Sequence, residues 1–248
     1  MLRGDFHHHI DTDPVDGTFV RHSAGELIDQ AAALGLNVLA ITCHESVPYD
    51  GDVARYAARR GIMLLRGMEA SVAGAHVLLL NFPEFPPGVC TMADIKECKT
   101  GDALVIAPHP FYPVGIAGGE ALLARRELLD AVEFSGLYTA LTPHFNRRAA
   151  AHARTASLPV IGNSDTHFLW QLGRTFTLID APPEPSAVIA AIRRGQVQLV
   201  TQPLSWVDVV RFIVMTNSKL ATLRRALDYM ACVLRRTRNV GHVGNTVP

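Results

Sequence analysis

A chain of 248 residues with 48% hydrophobic and 19% charged residues has the balance of a soluble globular protein and can bury a large core without depending on cross-links. Lys+Arg and Asp+Glu both total 23, so no global field holds a long polyanion against the whole surface, and any nucleic-acid contact must be local. Cys43, Cys90, Cys98 and Cys232 form no C-x-x-C pair, the N-terminus lacks the zones of a signal peptide, and no run approaches the roughly 18 apolar residues of a membrane span, so reduced thiols, a cytoplasmic location and no transmembrane segment are expected.

In chain order, the pattern predicts a first strand over Asp5 to His9 and a polar loop from Asp11 to His22. Ser23 and Glu26 have capping-box spacing and open a helix that Gly35 ends. A strand over Asn37 to Thr42 follows, then a helix over Asp52 to Arg60, strands over Ile62 to Glu69 and Ala75 to Leu80, and a short helix over Met92 to Cys98. Further strands are expected over Ala103 to Pro108, Ala131 to Phe134, Pro159 to Ile161, Phe176 to Ile179 and Gln196 to Thr201. Helices are expected over Gly119 to Leu129, Pro143 to Thr155 and Ser186 to Arg194. This alternation argues for βα units and a largely parallel sheet or barrel in a domain over 1–202. Residues 203–248 form a second part, with helices over Trp206 to Val214 and Lys219 to Arg236. The latter is basic and amphipathic, suited to packing on the barrel or on a second subunit, the second of which would make a homo-oligomer through these helices.

Chemistry-bearing residues gather at strand ends. In an extended strand, residues two apart share a side, so His7 and His9 present two imidazoles to one point, while His8 faces away. Asp165 and His167 repeat the spacing with a carboxylate and an imidazole. His9, His44, Glu69, His109, Glu133 and Asp165 all lie at or just past C-terminal strand ends, which converge on one face of a parallel barrel. A hairpin at Gly74 would return His76 to the side of Glu69. Glu133 reads equally as a carboxylate backing a ligand or as a structural residue. His22, His144 and His152, in loop or helix contexts without a motif, read as surface residues.

Five stretches together resemble the PHP (polymerase and histidinol phosphatase) family of metal-dependent phosphoesterases. Asp5-Phe6-His7-His8-His9 is similar to that family's D-L-H-x-H element and Ile41-Thr42-Cys43-His44 to its T-D-H element. Gly67-Met68-Glu69 with His76-Val77-Leu78 resembles its G-x-E and H-x-L elements, Ala107-Pro108-His109-Pro110 its A-H-P element, and Gly162-Asn163-Ser164-Asp165-Thr166-His167 its G-S-D-x-H element. The resemblance implies a distorted (β/α)7 TIM-like barrel holding two or three divalent ions, with zinc, manganese and iron all compatible with mixed imidazole and carboxylate ligands. It implies His7, His9, Glu69 and Asp165 around the first ion, Glu69, His76 and His109 around the second, and His44, His167 and an early aspartate around the third. Asp16, in Asp16-Gly17, matches the family's Asp-Gly two residues farther on than usual, with Asp11 and Asp13 as rivals. Cys43 stands where the family has aspartate, which puts a backing carboxylate for the third ion in doubt.

The implied activity is hydrolysis of a phosphomonoester or phosphodiester of a small molecule or nucleotide by a metal-bound hydroxide, with Asp165 or His167 moving a proton. Cations are needed because a phosphoester's anionic oxygens repel attacking hydroxide. Arg147, Arg148 and Arg174 are candidates for phosphate contact, since a guanidinium matches phosphate geometry. A short-oligonucleotide hydrolase, an amide or lactone hydrolase, and a non-catalytic interaction domain are the alternatives.

Overall fold

The computed structural model describes residues 1–112 and 119–216. These fall into two compact units, Met1–Ser205 and a second that begins at Trp206. The first unit runs β1 (Leu2–Asp5), α1 (Ala24–Ala33), β2 (Val38–Ile41), α2 (Gly51–Arg59), β3 (Met63–Val72), β4 (Ala75–Leu80), β5 (Val89–Cys90), α3 (Met92–Cys98) and β6 (Leu104–Ala107). It continues with α4 (Gly119–Leu123), β7 (Ala131–Ser135), α5 (His144–Ala156), β8 (Val160–Asn163), β9 (Phe176–Ile179), α6 (Pro185–Arg193) and β10 (Val197–Val200). Ser23 and Glu26 form the expected reciprocal cap of α1, and Asp50 caps α2 by accepting from the Asp52 and Val53 amides. The helix expected over Gly119 to Leu129 is shorter: α4 ends at Leu123 and gives way to turns.

Among the described residues all ten strands belong to one sheet, in the order β10-β9-β1-β2-β3-β4-β6-β7-β8, with β5 on β3. Its direction is mixed, not largely parallel as the alternation of elements suggests. β1, β2 and β3 are parallel, as are β6, β7 and β8, but β4 runs against both β3 and β6, and β9 runs against both β1 and β10. The first reversal comes from a two-residue turn at Ala73 (φ 49) and Gly74 (φ 81), because two positive φ values match the twist of a tight hairpin.

Side chains join the ends of the sheet into a nearly closed barrel, a distorted TIM-like fold. The Thr177 hydroxyl, on β9, accepts from Gly162 N (2.9 Å) and donates to Gly162 O (2.9 Å) on β8. Phe6 N donates to Asn163 Oδ1, and Ser164 N donates to Asp5 Oδ1, both at 3.0 Å. Gly162 makes this approach possible, since a Cβ there would lie 2.4 Å from Leu199 Cδ1 and 3.0 Å from Phe176 O.

Alternation along each strand sorts the core. Val38 and Ala40 join Phe6, Leu65, Leu78, Ile106, Ile161 and Ile179 in the barrel interior, together with Ile189 and Ile192 of α6. Leu39 and Ile41 point the other way, onto Leu27, Ile28 and Ala31 of α1. An apolar plug of this kind leaves the strand ends as the place where polar side chains converge.

The second unit contributes α7 (Trp206–Thr216), on which Trp206, Val207, Val210 and Ile213 are exposed. The helix expected over Lys219 to Arg236 lies outside the described residues. No described helix is long and apolar enough to cross a membrane.

Replacing Gly162 with alanine overpacks the seam between β8 and the β9–β10 pair. A loss of about 1–3 kcal/mol in denaturant unfolding is expected, and an unchanged midpoint would show that the seam can open without cost.

Candidate metal centre

The regular ladder of β1 stops at Asp5, but the chain stays extended past it because neighbouring backbone takes over the hydrogen bonds. His9 N donates to Thr166 O (3.0 Å), Thr166 N to His7 O (3.1 Å) and Thr42 N to His8 O (2.9 Å). His7 and His9 therefore share a side although the strand expected to carry them ends earlier, and their ring centroids are 5.3 Å apart. His8 faces away. Its Nδ1 donates to Ala40 O (2.7 Å) and its Nε2 lies 3.3 Å from Asp5 Oδ2, all buried.

The β3–β4 hairpin places Glu69 opposite Leu78 and Ser71 opposite His76, so Glu69 and His76 are diagonal neighbours on one face. Five imidazoles close a ring around Glu69, with neighbouring centroids at 5.3 Å (His7–His9), 4.7 Å (His9–His44), 4.9 Å (His44–His76), 5.8 Å (His76–His109) and 5.6 Å (His109–His7). Each carboxylate oxygen serves its own set. Oε2 lies 3.2 Å from His7 Nε2, 3.5 Å from His9 Nε2 and 3.0 Å from His44 Nδ1, whereas Oε1 lies 2.8 Å from His76 Nδ1 and 3.3 Å from His109 Nε2.

Asp165 adds a second carboxylate, its Oδ1 3.5 Å from His7 Nε2, 3.4 Å from His9 Nε2 and 3.5 Å from His167 Nδ1. Its φ of 52 is unusual for a residue other than glycine, as is the φ of 25 at His109. Among the early aspartates, Asp16 reaches the third group: its Oδ2 lies 3.1 Å from His44 Nε2 and 3.0 Å from His167 Nε2. Asp11 is exposed. Asp13 is buried beneath, where Oδ2 accepts from His9 Nδ1 (2.8 Å) and His44 N (2.9 Å), while Oδ1 accepts from the Val15 and Asp16 amides.

These spacings fit shared cations. Two donor atoms each about 2.1 Å from one ion stand about 3.0–3.4 Å apart at tetrahedral or right-angled geometry. The pair Glu69 Oε1 and His76 Nδ1 is the sharper test. Both atoms are buried and only 2.8 Å apart, yet neither has a hydrogen bond of acceptable geometry. Two buried donor atoms at this distance without a hydrogen bond are what two ligands of one ion would leave. Five triads in this cluster have their donor atoms within 4.8 Å of one another, among them His7, His9 and Glu69, then His9, Asp165 and His167, and then His44, Glu69 and His76.

Without bound cations, protons hold the cluster together. Burial works against a cationic His7, but Asp165, Glu69 and Glu133 raise its pKa well above the ordinary value. His44 is likewise opposed by burial and carried up to about 10 by its bonds to Asp16 and Glu69. In return, Glu69 and Asp165, both penalised by burial, are pulled well below the carboxylate range, chiefly by His7.

Arg147 and Arg148 are exposed on α5. Arg148 pairs with Glu120 and lies 4.1 Å over the Phe111 ring, two residues from His109. Arg174 is half-buried between the 3-10 turn Leu169–Gln171 and β9. His22, read as a surface residue, is buried beside His8, and burial lowers its pKa to about 4. Tyr112 was not marked in the sequence. Its ring stands edge-on to His109 at 6.5 Å, and burial and then Asp165 push its hydroxyl pKa up, so it remains a donor. Only its place three residues after His109 could have flagged it.

These features define an α/β barrel with a cluster of side chains that could hold metal ions. The model for PHP-associated sequences matches residues 143–197. PsfC from Pseudomonas syringae PB-5123 superposes with a TM-score of 0.59 at 19% identity, over 90% of this chain and 100% of its own. An amidohydrolase from Chromobacterium violaceum superposes with a TM-score of 0.56 at 19% identity, over 79% of this chain and 97% of its own. An uncharacterized protein of Methanocaldococcus jannaschii is 26% identical over 113 residues, covering 45% of this chain and 65% of that relative's length. Over residues 143–197 the chain is therefore similar to PHP-associated sequences, and the two solved structures share its fold.

The raised His44 pKa fixes the sign of a pH effect in chelator-treated protein. Its stabilising contribution is complete below about 6.5 and is lost as pH climbs through about 10. The melting temperature of the metal-free protein should therefore fall over that interval. Metal-loaded protein should not show this fall, because ligation requires neutral imidazoles and strengthens as they deprotonate.

Proposed function

We propose that the chain is a metal-dependent hydrolase that cleaves a phosphomonoester or phosphodiester of a small molecule or nucleotide. The observation that carries this reading is Glu69, a buried carboxylate whose two oxygens face different sets of imidazoles, as a bridge between two ions requires. His7, His9, Glu69 and Asp165 would hold one ion, Glu69, His76 and His109 a second, and Asp16, His44 and His167 a third. Bound there, divalent ions would polarise phosphoryl oxygens and acidify water.

The chain's own residues do the rest. His7 and His9 form the dry floor of the site, whereas His76, His109 and Asp16 are partly exposed and form its mouth. His167 Nδ1 donates to Asp165 O (3.0 Å), which leaves Nε2 directed toward Asp16 as the ligand atom. Proton movement therefore falls to the Asp165 carboxylate. Arg147, Arg148 and Arg174 are proposed to steer and bind the phosphate. α7, with its exposed apolar side chains, supports association of copies through the C-terminal helices.

Elemental analysis of protein purified without chelator should give two or three ions per chain. Glu69→Ala should lose at least two of them, and Asp165→Ala at least one together with nearly all phosphoester turnover. Absence of metal after reconstitution would overturn the reading, and turnover of amides or lactones alone would move it to another hydrolase chemistry. Arg148→Ala should raise KM about tenfold, equivalent to about 1.4 kcal/mol, with kcat unchanged, since a guanidinium contact outside the reacting atoms acts as uniform binding.

A further inference from the structure

The structure assigns Glu133 as the positioning residue that fixes the metal-binding face of His7 and the backbone of His109 through a single buried carboxylate. The assignment rests on the metal-centre reading above. Glu133 lies on β7, is fully buried, and projects between the ends of three other strands. Its Oε2 is 2.9 Å from His7 Nδ1 and 3.0 Å from Asn163 Nδ2, and its Oε1 is 3.2 Å from His109 N.

The direction of these bonds can be worked out. Phe6 N can only donate, so the Asn163 atom facing it is Oδ1, and Nδ2 is left to donate to Glu133. His109 N is also a donor, so both Glu133 oxygens act as acceptors. The remaining partner, His7 Nδ1, then carries its proton toward Glu133, so that when a cation displaces the Nε2 proton it is Nε2 that shares the ion with Glu69 and Asp165. A carboxylate behind an imidazole ligand in this way fixes the ring's tautomer and orientation and raises its basicity.

The second part of the role concerns strain. His109 adopts φ 25, which surrounding structure must enforce. The Glu133 bond to its amide supplies that constraint and holds the ring toward Glu69 Oε1. One side chain thus aligns a ligand proposed for the first ion with a ligand proposed for the second.

The test uses the full chain with zinc as the probe metal. In wild-type protein, nitrogen NMR of labelled histidine should show His7 protonated at Nδ1 and ligating through Nε2. Glu133→Gln keeps the shape but cannot accept from all three donors, so zinc affinity in a chelator competition should fall roughly ten- to a hundredfold and the His7 resonance pattern should change. A merely structural glutamate would lower the melting temperature and leave both of those readings unmoved, which would overturn the assignment. His7 protonated at Nε2 in the wild type would overturn it even if the variant fails to fold. Wild-type protein that binds no zinc would overturn this assignment together with the metal-centre reading. Bound zinc and the expected tautomer without phosphoester turnover would count against the proposed activity alone.

Discussion

Buried negative charge is the constraint on which the site depends. Glu69, Glu133, Asp13 and Asp165 are almost completely inaccessible, and a carboxylate removed from water needs compensating positive charge and satisfied lone pairs. Among the described residues the charged partners of these four, and of Asp16, are imidazoles. A lysine or arginine would neutralise the same charge permanently. Histidine can do so with a proton and then surrender that proton when a cation arrives, which makes the folded metal-free chain and the loaded chain two solutions to one electrostatic problem.

Much of this was legible because the relevant geometry is local. Two-residue periodicity paired His7 with His9 and Asp165 with His167, and the Gly74 turn brought His76 back to Glu69. The order of motifs carried the resemblance to the PHP family. What the sequence hid is long-range. Nothing local shows that β4 and β9 run against their neighbours, because alternating elements look alike whether a connection crosses over or doubles back. His22 shows the same limit: its loop position suggested solvent, but the polar loop folds inward, with Asp11 N donating to His22 O. Asp13 and Asp16 could not be separated by spacing, since the difference between them is which one the loop turns toward His44 and His167.

The cysteine at position 43 can be understood in the same terms. Where the PHP pattern that the sequence resembles has a carboxylate, this chain has a buried thiol whose pKa is raised by burial and by nearby Asp13. Asp13 reaches the same neighbourhood from another loop. It accepts from the His44 amide and the His9 ring and, through its other oxygen, from the amide of Asp16. Asp13 thus supplies an acceptor beside position 43, and a second carboxylate there would bring like charge against it in a dry environment.

The hairpin between Glu69 and His76 has a consequence for how the fold can vary. Both residues are fixed by the strand register, while Ala73 and Gly74 are exposed at the tip, beyond the last paired residues Val72 and Ala75. Lengthening the ribbon by one residue on each strand preserves the parity that keeps Glu69 and His76 on one face, whereas a single extra residue reverses the facing of everything beyond it. The hairpin is therefore open to elaboration in even steps only, one residue on each strand at a time, if Glu69 and His76 are to stay on one face.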